Sequence, residues 1–256
     1  TEVVLYSIWY LTKSHGRVER LTELVDRTAF YFFPMLNPDG RAFWFDAPNT
    51  MHSSRGGKKP VDNDGDGEFD EDGPEDLDGD GHILEMRKVD PLGRFRESPQ
   101  DPRVLVPVEP EAKGDFLRYT RLGWEGIDND GDGLVNEDGP GGYDTNRNWP
   151  ADWQPEYVQG GAGDFPLSLP ESKCVADFIL AHPNIAAVQA YHNAGGMILR
   201  GPGAQYVEYP RADIAVYDRI GRRGERLLPF YRYWIIWKDL YVGHGGFVTW
   251  TAEDLG

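Results

Sequence analysis

The sequence predicts an α/β protein in which helices pack against a layered sheet. The first observation is composition: 256 residues, 39% of them hydrophobic, with eight tryptophans, suffice for one large domain with a substantial core. The second is that helical and extended patterns alternate along the chain. The third is that turn-forming residues follow the extended runs, as expected where functional loops lie at strand ends.

The N-terminal residues contain this alternation in its clearest form. Residues 1–13 and 18–27 place apolar side chains near helical spacing, so both segments are predicted helices. Residues 28–36 are rich in aromatic side chains and predict a buried strand, with Pro34 near its end, where a missing amide donor does least harm. Asn-Pro-Asp-Gly at residues 37–40 then predicts a turn.

The net charge of −17 comes from two acidic segments. Residues 61–85 contain twelve Asp and Glu and residues 125–138 contain six, and neither segment has a Lys or Arg. Together they account for the whole negative balance of the chain. Because no basic stripe is available to neutralise phosphates, the sequence argues against a nucleic-acid partner.

Asp recurs at alternate positions in three short loops of these segments, at residues 62–67, 76–81 and 128–133. This pattern is the opening half of a calcium loop, because hard oxygen ligands converge on one ion while glycine permits the sharp bend. The alternative is a solvated acidic loop without metal. The predicted calcium ligands are Asp62, Asp64, Asp66, Asp76, Asp78, Asp80, Asp128, Asp130 and Asp132.

Residues 62–74 and 128–140 are also an internal repeat, since each ends in Glu-Asp-Gly-Pro. Gly73 and Gly139 stand at the twelfth loop position, where an EF-hand needs glutamate, so these are not EF-hands. They are similar to the compact Asp-rich repeats of extracellular calcium-binding modules. Between the repeats, prolines and short Val/Leu runs at residues 89–115 predict a small β-rich elaboration to which we assign no chemistry.

The C-terminal half continues the alternation. Residues 170–182 and 211–228 have apolar residues at helical spacing and are predicted helices. Residues 185–190 predict a strand that delivers His192 to its end, and residues 197–200 predict another short strand.

Residues 143–149 read Tyr-Asp-Thr-Asn-Arg-Asn-Trp and lie among turn-forming residues that stay near the surface. Arg147 offers a planar fork that matches two carboxylate oxygens, and Asn146 or Asn148 can add a neutral donor. These residue types therefore predict a carboxylate receptor. The alternative is a surface arginine among ordinary loop asparagines.

Five features, in chain order, carry a family resemblance: Asn-Pro-Asp-Gly at 37–40, Arg55, Asn-Arg-Asn-Trp at 146–149, His192, and Tyr241 before a Gly-Gly turn. In these features the chain resembles the zinc carboxypeptidases of the carboxypeptidase A type. The resemblance covers almost the whole chain apart from two insertions. It implies a mixed, mostly parallel twisted sheet with helices on both faces, to which the acidic calcium loops are added as insertions.

The resemblance also implies an organisation and an activity. It implies one catalytic domain over residues 1–256, with an acidic, Gly/Pro-rich calcium-binding region inserted at residues 58–140. The implied enzyme is a zinc-dependent carboxypeptidase that removes C-terminal residues from peptides or proteins. Since the family supplies a His-x-x-Glu pair just before the helix that opens at Thr1, and a general-base glutamate after Gly256, we expect this chain to be an inactive internal piece of a longer enzyme. The alternative from a different class is a non-catalytic, calcium-dependent binding or adhesion module on the same scaffold.

Each motif residue takes a role from the family. His192 is implied as a zinc ligand, and imidazole is a preferred zinc donor. Asn146 and Arg147 are implied to hold the terminal carboxylate of the substrate, and Tyr241 to close over it as a phenolic donor; the alternative for Tyr241 is a core tyrosine. Arg55 is implied to stabilise the oxyanion of the tetrahedral intermediate, and the alternative is a loop arginine that neutralises the acidic insertion.

Two expectations concern the surroundings of the protein. No apolar run approaches the length needed to span a bilayer. Calcium loops suit an extracellular or periplasmic location, because millimolar calcium saturates even weak sites there.

Overall fold

The structure, a computed structural model, describes residues 1–46, 56, 60, 62, 64–139, 142–192 and 195–256. The chain divides into two compact units: a first unit of Thr1–Pro38 with Tyr143–Gly256, and a second unit of Asp39–Gly142. The second unit contains the whole region predicted as an acidic insertion. No helix in the described ranges is long and apolar enough to cross a membrane.

Helices and short strands alternate along the described chain. In chain order they are α1 (Glu2–Ser14), α2 (Glu19–Arg27), α3 (Pro38–Asp46), β1 (Glu85–Val89), β2 (Phe95–Glu97), β3 (Leu105–Pro107), β4 (Tyr119–Trp124), α4 (Pro170–Ala181), β5 (Met197–Arg200), α5 (Arg211–Leu227), β6 (Arg232–Ile235), a π-helical turn (Ile236–Leu240) and α6 (Phe247–Glu253).

The predicted helices α1, α2, α4 and α5 are confirmed, but the segment between α2 and α3 differs from its prediction. Residues 28–36 contain no strand. The rings of Tyr31 and Phe33 meet the ring of Phe178 on α4 edge-on at 5.3 and 5.1 Å, so the aromatic run packs on a helix and not in a ladder. The predicted turn at residues 37–40 is also wrong, because α3 begins at Pro38, whose fixed φ suits the first position of a helix.

The first unit contains a parallel β5–α5–β6 crossover. Strands β5 and β6 pair in parallel from Met197↔Arg232 to Arg200↔Ile235. Helix α5 connects them, and Gly221 on α5 leaves room for the ring of Tyr233 on β6. The strand predicted at residues 197–200 is therefore confirmed, whereas the one predicted at 185–190 is wrong, since that range forms no strand.

The second unit contains a four-stranded antiparallel sheet in the order β1-β4-β2-β3. Strands β2 and β3 confirm the β-rich elaboration predicted at residues 89–115. Tyr119 on β4 is buried, and its hydroxyl donates to Glu97 on β2. Within the second unit the sheet is thus antiparallel, in contrast to the parallel pair of the first unit.

The core of the first unit lies directly behind the predicted carboxylate receptor. Trp149 is 4% exposed and stacks on Trp250 of α6 at 5.0 Å between ring centroids. Val175 and Ile179 of α4 complete this cluster. Burial of two indole rings beside a helix is a large apolar contribution, so the end of the Asn-Arg-Asn-Trp segment is anchored in the core.

Candidate functional site

The Asn-Arg-Asn-Trp segment is held in a tight turn by Asp144. Its Oδ1 accepts a hydrogen bond from the amide of Asn146 at 2.8 Å, and its carbonyl accepts from the amide of Arg147 at 2.8 Å. The indole of Trp149 closes the segment by donating to the carbonyl of Thr145 at 2.9 Å. An aspartate that binds the backbone two residues ahead is a common way to start such a turn, and it presents Asn146 and Arg147 side by side.

Asn148 does not belong to the receptor. It is fully buried, and its Nδ2 donates to the carbonyls of Ala162 and Phe165 at 2.7 and 2.9 Å, while its Oδ1 accepts from the amide of Leu169 at 3.0 Å. The hypothesis that either asparagine could bind substrate therefore narrows to Asn146. Asn148 instead ties the 160–169 loop to the segment, because buried backbone groups need partners.

The guanidinium of Arg147 is fixed from two sides. It is 9% exposed, and its Nη2 donates to the hydroxyl of Tyr241 at 2.9 Å. Its Nη1 donates to the carbonyl of Asn146 at 2.7 Å and lies 3.8 Å from Oδ2 of Asp144. A shielded guanidinium held by one carboxylate keeps donors for a further anionic group.

Tyr241 reaches Arg147 because its loop is bonded to the same segment. The carbonyl of Gly245 accepts from the amide of Trp149 at 3.0 Å, and Oδ1 of Asn146 accepts from the amide of Phe247 at 3.0 Å. Gly245 has φ +59°, and a Cβ there would lie 2.1 Å from the carbonyl oxygen of Arg147. Glycine is thus required at this close approach.

His192 lies at the edge of the same site. Its Nε2 is 3.4 Å from Nδ2 of Asn146, and the side chain is exposed. The structure therefore brings together four of the predicted site residues, namely Asn146, Arg147, His192 and Tyr241. Arg55, the fifth, lies outside the described residues.

The imidazole of His192 fits a zinc ligand in donor type and in accessibility. A catalytic zinc takes three protein ligands and a water, and imidazole is among the donors that such a site accepts.

The three acidic loops share one local structure. In each, the two oxygens of the first aspartate accept backbone amides from the glycines three and five residues later. For Asp76 these bonds are both 2.8 Å, and the amide of Gly81 is the main cause that lowers the pKa of its carboxyl. All six of these glycines have positive φ. This backbone conformation favours glycine, which explains why glycines recur at the same two positions of each loop.

The first and third loops converge through the ends of the internal repeat. Asp72 and Asp138 form an antiparallel bridge and are fully buried. Carboxylate oxygens of Asp64, Asp130 and Asp132 lie within 4.8 Å of one another, which is the spacing of ligands around a single cation.

Glutamates that sequence reasoning missed stand beside this cluster. Burial raises the pKa of Glu71 to about 7 and also raises the pKa of Glu137. Oxygens of Glu71, Asp64 and Asp138 lie within 4.8 Å of one another. The signal that could have found the glutamates is the Glu-Asp-Gly-Pro that ends each repeat.

Comparison with known proteins supports the family resemblance. The family model described as zinc carboxypeptidase matches residues 1–81 and 118–256. Human carboxypeptidase A6 is 30% identical over 123 residues, which are 44% of this chain and 28% of that protein. Rat carboxypeptidase A1 is 28% identical over 124 residues, which are 44% of this chain and 29% of that protein. The chain thus matches less than a third of the length of either relative.

Among solved structures, thrombin activatable fibrinolysis inhibitor is similar over 99% of this chain and 47% of its own, with a TM-score of 0.51 at 16% sequence identity. This likeness shows the fold and confirms the α/β class with mixed helices and sheets. The family model does not match residues 82–117 of this chain, which contain strands β1, β2 and β3 of the second unit. Because the family model covers far more than half of the sequence, the chain belongs to the zinc carboxypeptidase family.

Proposed function

We propose that this chain supplies the substrate-carboxylate side of a zinc-dependent carboxypeptidase that removes C-terminal residues from peptides or proteins. The observation that carries the proposal is the shielded guanidinium of Arg147, which has the amide of Asn146 and the phenol of Tyr241 beside it. Membership of the zinc carboxypeptidase family supports the reaction class.

The terminal carboxylate of a substrate would bind to Arg147. A carboxylate carries the opposite charge to the guanidinium and can accept two parallel hydrogen bonds from it, so it competes well with the neutral phenol oxygen that now accepts from Nη2. Tyr241 would then keep its own proton to donate to the bound peptide. Nδ2 of Asn146 would provide a neutral donor on the side that faces His192.

This arrangement favours an exopeptidase. An internal peptide bond offers no carboxylate at this place, so Arg147 would keep Asp144 as its anionic partner and would have donors buried without a second one. An unsatisfied buried polar group costs about 1–3 kcal/mol, and a charged group costs more. Selection for a free C-terminus therefore follows from the burial of one guanidinium.

The bound zinc would polarise the scissile carbonyl and lower the pKa of its water. In this chain His192 would be one of the ligands. Arg55 is proposed to meet the developing oxyanion, as the family resemblance implies.

We also propose that the acidic loops of the second unit bind calcium. Their ligands would be the nine aspartates of the three loops, and the convergence of Asp64, Asp130 and Asp132 within 4.8 Å supports this. Carboxylate oxygens are the donors that calcium prefers. Millimolar calcium outside the cytoplasm would saturate such sites, so the proposed location is extracellular or periplasmic.

The test is release of C-terminal amino acids by the natural full-length protein supplied with zinc and calcium. We expect release from a peptide with a free C-terminus, and loss of release both from the amidated peptide and with Arg147→Ala. If the zinc-loaded protein binds calcium but releases nothing from any peptide, the enzyme proposal fails and a calcium-dependent binding module takes its place.

A further inference from the structure

We propose that Asp152 and His244 form a latch that positions the Tyr241 loop, defined as residues 241–246, against the carboxylate-binding segment. This inference rests on the proposed function, because the loop matters only if Tyr241 meets substrate. Neither residue was assigned a role from the sequence, although His244 lies between Tyr241 and the Gly-Gly turn. Both are positioning residues and contact no reacting atom.

The latch consists of the carboxylate of Asp152 and the ring of His244, and the backbone amide of His244 makes a further hydrogen bond. Nδ1 of His244 lies 2.8 Å from Oδ2 of Asp152, and the two side chains are 12% and 18% exposed. The backbone amide of His244 donates to Oε1 of Gln159 at 3.0 Å. His244 is therefore bound through its ring and through its main chain, and both partners lie in the 150–160 loop that follows Trp149.

Asp152 has a second hydrogen-bond partner and a left-handed backbone conformation. The hydroxyl of Tyr206 donates to the carboxylate, 2.8 Å from each of its oxygens. Asp152 has φ +49°, a left-handed conformation that aspartate and asparagine tolerate better than other side chains. The carboxylate thus contacts both the ring of His244 and the phenol of Tyr206, so each of the two contacts can be removed separately.

The position of His244 in the loop explains why the latch acts on Tyr241. His244 is three residues after Tyr241 and directly before Gly245, the glycine that passes against the carbonyl of Arg147. Tyr241 is 46% exposed, and its hydroxyl accepts a hydrogen bond from Arg147. When a substrate carboxylate takes that bond, the contacts of His244 remain to keep the loop in place.

The surroundings of the His244 ring indicate a positioning role and not a catalytic one. Nδ1 of His244 is engaged with Asp152, and the ring is nearly nine-tenths shielded, so the imidazole is poorly placed to reach a substrate or a metal. A histidine whose one nitrogen meets a carboxylate is oriented by it. The ring of His244 thus connects the Tyr241 loop to the 150–160 loop.

The experiment compares Asp152→Asn with Tyr206→Phe in the natural full-length protein. Asp152→Asn keeps the size and the tolerance of positive φ but removes the charge that binds His244. Tyr206→Phe removes the other partner of the same carboxylate and leaves the latch. Amide hydrogen exchange of residues 241–246, measured without substrate, reports local opening of the loop.

For Asp152→Asn we expect exchange of these amides to accelerate about tenfold or more, since a hydrogen bond to a charged group is lost. We also expect KM for a free-carboxylate peptide to rise about tenfold while kcat changes less. Tyr206→Phe should change both by less than about twofold. Equal effects of the two variants, or unchanged exchange in Asp152→Asn, would overturn the latch.

The exchange measurement separates failure of the latch from failure of the proposed function. If the wild-type protein shows no peptidase activity, the proposed function fails, yet exchange in the Tyr241 loop still decides whether the pair holds it. If activity is present but exchange and KM do not respond to Asp152→Asn, only the latch is wrong. A thermal midpoint within about 2 °C of wild type, equivalent to about 1 kcal/mol or less for a protein of this size, would confirm that both variants are folded.

Discussion

Nη2 of Arg147 donates a hydrogen bond to the hydroxyl of Tyr241 at 2.9 Å, although the two residues are 94 positions apart in the chain. The phenol oxygen acts here as the acceptor, so its proton remains available to a further partner. The guanidinium lies 5.7 Å from the centre of the Tyr241 ring, which adds a weak cation–π attraction. The two side chains therefore form one donor surface that a carboxylate can approach.

Arg147→Lys should reduce kcat/KM for free-carboxylate peptides by about a hundredfold, and Tyr241→Phe by about tenfold. Lysine keeps the charge but loses the planar fork, whereas phenylalanine removes one donor. Steady-state kinetics on a peptide and its C-terminal amide measure both effects. A lysine variant with wild-type kinetics would contradict bidentate recognition of the carboxylate.

Asn146→Ala and Asn148→Ala should separate binding from stability. Asn148→Ala removes three hydrogen bonds to backbone groups and takes from the buried amide of Leu169 its side-chain acceptor, so we expect the free energy of unfolding to fall by about 2–4 kcal/mol. Asn146→Ala loses the bond to the amide of Phe247 and should cost about 1 kcal/mol, but it should raise KM. Denaturant unfolding and kinetics on the same two proteins test this, and the assignment is wrong if the ranking of stabilities reverses.

Two glycines of α5 should respond differently to alanine. A Cβ at Gly221 would lie 2.1 Å from the ring of Tyr233, whose hydroxyl is held by Arg200 at 2.7 Å, so Gly221→Ala should destabilise by about 1–3 kcal/mol. A Cβ at Gly224 would meet only Cδ1 of Ile198, the tip of a flexible side chain. Gly224→Ala should stay within about 1 kcal/mol of wild type, because alanine favours the helix. Equal losses in denaturant unfolding would show that the contact at residue 221 is not decisive.

Glu253→Gln should stabilise the protein more at pH 7.5 than at pH 4. Burial raises the pKa of Glu253, and the hydrogen bond from Tyr209 only partly opposes this. A carboxyl whose folded pKa is raised contributes stability below its unfolded pKa and loses that contribution as pH rises through the folded value. Glutamine removes this loss. Thermal midpoints of both proteins at the two pH values measure it, and a difference that does not change with pH contradicts the prediction.

Asp64→Asn should weaken calcium binding by about tenfold, because Asp64 lies in carboxylate groups with both Asp62/Asp66 and Asp130/Asp132. Asp101→Asn is the matched control. It removes an equal charge from an aspartate that is paired with Arg103, a pairing that lowers the pKa of Asp101 to about 2. Calorimetric titration with calcium and with magnesium provides the measurement. Similar affinities in the two variants would mean that general acidity, and not the loops, attracts the ion.

The parts of the fold that the sequence predicted are those set by local spacing. Helices α1, α2, α4 and α5 follow from apolar residues three and four apart, a local pattern that is visible without knowing the surface on which the helix packs. A strand needs a partner as well as a pattern, which is why residues 197–200 form a strand beside β6 whereas residues 28–36 do not. The aromatic rings of residues 28–36 pack on the surface of helix α4 instead.

The candidate site was predictable by residue type and less so by role. Asn146 and Asn148 are the same residue two positions apart in one motif, and only the fold decides that one is buried against backbone groups while the other faces His192. Asp152 and His244 could not be paired from the sequence, because 92 residues separate them and neither lies at a motif spacing. Long-range pairs of this kind arise from loop packing.

For protein engineering, the backbone contact at Gly245 sets which positions of the Tyr241 loop are open to mutagenesis. Any side chain at Gly245 would collide with the carbonyl of Arg147, and its φ of +59° adds strain for most residues. Val242, in contrast, is 53% exposed. A library designed to change which C-terminal side chains the proposed peptidase accepts should therefore randomise Val242 and keep Gly245 constant. Variants at Gly245 would no longer pack the loop against the Arg147 segment.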